Sequence, residues 1–201
     1  ATYSKLIDEK TNVASTAIAK GELGGTLTYK PTTATPGVVS AHTLQFQTVG
    51  RVLPGGKITL EFPSGEDWDM PDAPAGDISF SFNKADGTAS TVTADTGSGN
   101  TAWNRTNNKL TIMTASADIE SGEQVGLRIS TARSAADTQL ASNVTVQTLS
   151  ATYSKLIDEK TTVASTAITK GELLAELTYL PTQATREAKS THTLKFLTVG
   201  R

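Results

Sequence analysis

Carboxylates crowd one stretch of the chain, Glu66-Asp67-Trp68-Asp69-Met70-Pro71-Asp72, with Asp77 just beyond it. A hard cation such as Ca²⁺ takes about six to eight oxygen ligands, and a loop this acidic supplies them. Asp67, Asp69 and Asp72 are therefore candidate calcium ligands. The central glycine and twelfth-position glutamate of an EF-hand are missing, so a solvated acidic loop is the competing reading. His42 and His192 are the only histidines, and there is no cysteine. A zinc site or a nucleophilic triad needs partners within one folded unit, and the chain's 150-residue repeat gives each unit one His and no Cys. Each reads instead as a hydrogen-bonded structural residue on the Leu44 side of its strand. Lys57, Lys109 and Asn143 hold the ingredients of a Lys–Asn isopeptide crosslink, but nothing in their spacing selects a pair.

Two further groups bear on modification and binding. Asn104-Arg105-Thr106 and Asn143-Val144-Thr145 are N-glycosylation sequons. Asn104 and Asn143 are thus candidate acceptors, with Asn104, in a polar turn region, the better placed. Trp68 and Trp103 lie in loop-like contexts. They either cap one end of a β-fold or stack on a sugar or partner, since indole supplies a large face with one polar handle. No acid, base and nucleophile come together, and the expectation is a protein that is not an enzyme and needs no obligatory cofactor.

The elements that carry these residues are strands. Threonine occurs 34 times in 201 residues, and its branched Cβ suits the pleated, half-exposed face of a sheet. Basic and acidic side chains number 18 and 20, which gives no electrostatic footprint for nucleic acid or for an anionic membrane surface. No apolar run reaches the roughly 20 residues of a bilayer span. The first residue is Ala1, with no signal-peptide pattern before it, which reads as a processed or excised piece.

The strongest signal is a repeat. Residues 1–51 recur at 151–201, an offset of 150, with 37 of the 51 aligned positions identical. Leu44 and Phe46 return as Leu194 and Phe196, whereas Gln45 between them becomes Lys195. The connecting run Pro36-Gly37-Val38-Val39 becomes Arg186-Glu187-Ala188-Lys189. Alternate positions hold and intervening ones drift, as expected of two copies of one strand with a buried face.

Period-2 alternation marks strands in Ala41–Thr48, Gly56–Phe62, Asp77–Phe82 and Lys109–Met113, around Val125, Leu127 and Ile129, and at Val144 and Val146. Leu53-Pro54-Gly55-Gly56, Asp86-Gly87, Gly97-Ser98-Gly99-Asn100 and Ser121-Gly122-Glu123 are turns between them. No segment has convincing helical periodicity; Ala132–Leu140 is long enough for about two helical turns, a marginal length for a helix. The pattern predicts seven to nine strands per 150 residues, an all-β, antiparallel β-sandwich in a tandem array. Its core is expected to hold Leu44, Phe46, Ile58, Leu60, Phe62, Ile78, Phe80, Leu110, Ile112, Leu127 and Ile129. Residues 22–171 would make one complete repeat. Residues 1–21 would be the closing strands of a preceding repeat, and 172–201 the opening strands of a following one.

The run His42-Thr43-Leu44-Gln45-Phe46-Gln47-Thr48, followed by Leu53-Pro54-Gly55-Gly56-Lys57-Ile58-Thr59-Leu60-Glu61-Phe62-Pro63, resembles the repeats of large secreted proteins of microbial and microalgal cell surfaces. Those are immunoglobulin-like units with a T-x-F-x-T … L-P-x-G-G-x-I-x-I-x-F-P pattern. Thr161-Thr162-Val163-Ala164-Ser165-Thr166-Ala167-Ile168 resembles their closing strand. The resemblance implies an immunoglobulin-like sandwich, an extracellular or cell-surface location and a scaffold role, and it carries no active site. Two functions follow as expectations. One is a structural filament, appendage or surface layer whose partners are neighbouring repeats or copies of the same protein. The other is an adhesin holding carbohydrate in loops at one end of the sandwich.

Overall fold

The computed structural model describes residues 17–71, 74–81, 87–171, 173–182, 189 and 191–198. The chain is all-β. Among the described residues thirteen strands form: β1 (Gly21–Glu22), β2 (Thr28–Pro31), β3 (Val39–Gln47), β4 (Lys57–Glu61), β5 (Ile78–Ser81), β6 (Thr93–Ala94), β7 (Ala102–Asn104), β8 (Lys109–Ala115), β9 (Gln124–Arg133), β10 (Asn143–Leu149), β11 (Leu156–Ser165), β12 (Leu173–Pro181) and β13 (His192–Thr198). The only helical element among the described residues is a single 3₁₀ turn, Pro74–Asp77.

Eleven strands join in one sheet along the path β5-β9-β3-β2-β11-β10-β4-β8-β6, with β1 added to β11 and β7 to β8. The path curls until its edges β5 and β6 approach each other, so the sheet nearly closes into a barrel. β12 and β13 form a separate two-stranded sheet.

Most pairings are antiparallel, but the sheet is mixed rather than purely antiparallel as the turn pattern suggests. β11 pairs in parallel with β1 (Gly21 opposite Asp158) and with β2 (Thr28 opposite Ala164). Parallel neighbours need a long connection, and here nearly the whole sheet lies between them.

Alternation built the core as its period requires. Leu44, Phe46, Ile58, Leu60, Phe62, Ile78, Leu110, Ile112, Leu127 and Ile129 are buried, and Phe80 packs half-buried against them. Phe82 and the Asp86 half of the Asp86-Gly87 turn lie outside the described residues. The marginal two-turn stretch Ala132–Leu140 is not helical: β9 runs on to Arg133, and Gln139 then makes a bridge with Ile168. Ala132 is buried within the last residues of β9, and Ala135 is buried two residues beyond its end.

The Pro-Gly-Gly turn forms as its residues demand. Gly56 N donates to Leu53 O at 2.8 Å, and Gly55 sits at φ +84°, the type II position open to glycine. A Cβ on Gly56 would stand 2.8 Å from Leu53 O and 3.0 Å from Leu149 O, so this glycine admits the close approach of β10. Thr114 clamps the turn: its hydroxyl donates to Leu53 O and Gly56 O, and its N–H to Gly56 O.

Candidate functional site

His42 lies on β3 with Leu44 and Phe46, so alternation turns it inward, and its side chain is fully buried. Its Nδ1 is 2.6 Å from Tyr29 Oη, across the β2–β3 pair. The rings of Tyr29, Phe62 and Trp68 pack around one another and Trp103 meets Phe62, mostly edge to face, which is the favoured aromatic geometry. Burial lowers the His42 pKa to about 4 and raises that of Tyr29 well above the usual phenol range. His42 Nε2 has no partner among protein atoms. The pair is neutral, and it fixes β2 to β3 as the structural reading of this histidine requires.

Trp68 and Trp103 are both buried, more deeply than a loop context suggests. Trp103 is on β7, and Trp68 is anchored by its Nε1–H donating to Glu66 Oε2 at 2.7 Å. Gln139 Nε2 and Ser142 Oγ donate to the same oxygen. The acidic loop is therefore pulled onto the core by Glu66 rather than left as a free cluster.

Asp69 is committed elsewhere. Its carboxylate bridges Arg105 Nε at 3.0 Å and Arg133 Nη2 at 3.1 Å, and its backbone makes a two-bond bridge with Arg133. Asp67 is exposed, and Asp72 lies outside the described residues. Among the described residues no group of three His, Asp or Glu side chains gathers to hold a metal ion. The calcium candidates thus include one carboxylate already neutralised by two guanidinium groups.

Asn104 and Asn143 are both exposed, Asn104 at the end of β7 and Asn143 at the start of β10. Asn104 Oδ1 accepts from Thr106 N at 3.0 Å. Arg105 and Thr106 of one sequon and Asn143 and Thr145 of the other border a single open depression of about 600 Å³ beside Glu61 and Pro63. Of the isopeptide ingredients, Lys57 Nζ donates to Ser154 Oγ at the opposite end of β4 from Glu61, while Lys109 Nζ pairs with Glu61, which lines the same depression as Asn143.

The most distinctive geometry belongs to the two poles of the main sheet. At the leading pole the chain enters beside the start of β11. Asp158, fully buried, accepts from Val49 N at 3.1 Å, from Gly50 N at 3.0 Å and from the Thr148 hydroxyl at 3.3 Å. A Cβ on Gly21 would fall 2.1 Å from Asp158 Oδ1, so only glycine lets β1 lie against this carboxylate. Lys20 pairs with Glu159 and Glu22 with Lys160; each ammonium lowers the pKa of its carboxylate partner, chiefly through the hydrogen bond. At the trailing pole the chain leaves after β11. Ile168 is buried and exchanges two 2.9 Å backbone bonds with Gln139, and Thr169 N donates to Ala34 O. An apolar groove of about 520 Å³ lies there between Thr138–Leu140 and Ala167–Lys170.

Large exposed apolar side chains follow this division. Val39 and Leu140 stand at the trailing pole, and Val49, Leu53 and Tyr153 at the leading pole. Ile18 is just ahead of β1, and Leu194 is on β13. Sequence reasoning missed the poles because it placed strands without their pairing. The signal that pointed to them was the repeat, which makes exposed Ile18 the copy of buried Ile168. No protein-family model, curated protein or solved structure matches this chain.

Proposed function

We propose that this chain is part of a structural tandem array, in which immunoglobulin-like sandwich units of 150 residues follow one another in an extracellular filament, appendage or surface layer. The observation that carries the reading is the register of the two hairpins. In β2–β3, Tyr29, Lys30 and Pro31 lie opposite Leu44, Thr43 and His42; in β12–β13, Tyr179, Leu180 and Pro181 lie opposite Leu194, Thr193 and His192. Each pair is displaced by 150 residues. The hydroxyl and N–H of Thr32 donate to Ala41 O just as those of Thr182 donate to Thr191 O. The unit completed by β11 is thus begun again directly after it.

Neighbouring units of the same sequence are the partners this reading needs, and Asn104 and Asn143, both exposed, are its candidate glycan acceptors. The adhesin alternative loses its aromatic platform, since both tryptophans are buried in the core. Electron microscopy of the native material tests the proposal. Regular assemblies with an axial repeat of one unit are expected. Monodisperse single particles carrying one folded unit each would overturn it.

A further inference from the structure

Parallel pairing of β1 and β2 with β11 decides where the ends of a unit lie. First and last strands that run the same way put the incoming chain at one pole and the outgoing chain at the other. β11 has ten residues, so the poles are about 30 Å apart at the usual strand rise. An antiparallel closing pair would have returned both ends to one pole.

The joint between units is short. Thr169 N makes the last backbone bond to the closing unit, through Ala34 O. Lys170, the next residue, is the copy of Lys20, which pairs with Glu159 of the unit it leads into. Gly171 is the copy of Gly21, already in register with Asp158. One peptide step, about 3.8 Å between Cα atoms, therefore separates the last residue held by one unit from the first held by the next. No slack remains for a linker, and the trailing pole of one unit must face the leading pole of the following one.

Both poles are dressed for contact. Among the described residues of the main sheet's own span, the large exposed apolar groups sit there, Leu140 at 86% exposure being the extreme. Resting on the array reading, we infer that successive units meet pole to pole without a linker. Leu140, Val39 and the groove beside Ile168 pack on Val49, Leu53 and Tyr153 of the next unit. Ile168 and Lys170 are the two pegs, one in each unit. Ile18, fully exposed here, is the first peg of the same joint on the preceding side: its copy Ile168 is 1% exposed. The occupant of the apolar groove is thus the next copy of this unit, carried there by the chain itself.

The test uses the full chain prolonged past Arg201 by a second copy of residues 52–170, so that two whole units share the native Thr169–Lys170–Gly171 joint. The chain has no cysteine, so nitroxide labels on Thr138→Cys and Lys195→Cys report one distance across the joint. A single narrow distance distribution is expected. Leu140→Asp should broaden it about twofold or more, toward the width given by a flexible Gly-Ser insert between Thr169 and Lys170, yet leave the melting temperature of the 201-residue chain unchanged. Two folded units with a wild-type distribution as broad as that of the insert would overturn this inference alone. An unfolding enthalpy of only one unit would overturn the array reading, and the joint with it.

Discussion

Acidification should weaken this fold through His42. Its pKa is lowered by burial from 6.5 to about 4, and its Nε2 faces no acceptor. A proton arriving on the ring would place a charge among Tyr29, Phe62 and Trp68, with the Nε2–H of the cation left without an acceptor. The unfolded chain takes up that proton first as pH falls through about 6.5, and the folded chain resists until about 4. The contribution is complete above 6.5, is lost progressively below it and levels off beneath 4. Linkage gives a loss of ~2.5 kcal/mol by pH 4.5, or ~5–10 °C in Tm for a domain of this size. Glu22 and Glu159 titrate in an overlapping range, so the useful quantity is a difference. Denaturant unfolding of the wild type and of His42→Gln, from pH 7.5 to 3.5, isolates it. The variant should be less stable at pH 7.5 by ~1–3 kcal/mol for the disturbed Tyr29 bond, and the gap should close or reverse by pH 4.5. Two curves that stay parallel over the whole range would refute the reasoning.

At the leading pole, Asp158→Ala should cost ~2–4 kcal/mol by leaving Val49 N, Gly50 N and the Thr148 hydroxyl without their acceptor, whereas Asp158→Asn, which keeps one oxygen, should cost less. Urea denaturation at pH 7 reads both, and equal stability of the alanine variant and the wild type would reject the latch. Gly56→Ala should destabilise by ~1–3 kcal/mol, because backbone oxygens on both sides must move; calorimetry checks it. Millimolar Ca²⁺ or a chelator should leave Tm where it is, since Arg105 and Arg133 already hold the Asp69 carboxylate. A rise of several degrees with calcium would return Asp67, Asp69 and Asp72 to candidacy.

How legible this was in the sequence depends on the range of the interaction. Alternation is local, and it found β3, β4, β8, β9 and β10 with their buried faces. Turn chemistry is local too, and Pro54-Gly55-Gly56 folds as its residues require. Pairing partners are not written in a period of two. Nothing in Gly21 or Thr28 announces that β11, more than 130 residues later, lies parallel beside both. β6 and β7, of two and three residues, are too short for a pattern to show. Asp158 carries no local signal in the sequence, because its role depends on two amides contributed by a distant turn. Ala132–Leu140 is ambiguous in sequence, short and alanine-containing, and β9's alternation continues into it through Ala132.

The two copies of one hairpin separate what the local sequence encodes from what a complete unit supplies. Their cross-strand register is the same, residue for residue. Their burial is not: Leu44 is 1% exposed and Leu194 56%, and His42 is buried while His192 is exposed. The difference is supplied by β9 and β11 on either side and by the Trp68 loop above, all of which come from later in the unit. A two-stranded hairpin alone is marginal in water, since it has a face and nothing to bury it against. Strand pairing is therefore specified early and locally, while the depressed His42 pKa, the Tyr29 bond and most of the apolar burial arrive only when β11 closes the sheet. In a chain of such units, that closing strand is followed within a few residues by Thr169, the last residue the unit holds, and the next unit begins at Lys170. Completion of one unit and presentation of the surface that receives the next are then the same folding event, which is how a quasi-one-dimensional array couples neighbours that share no core.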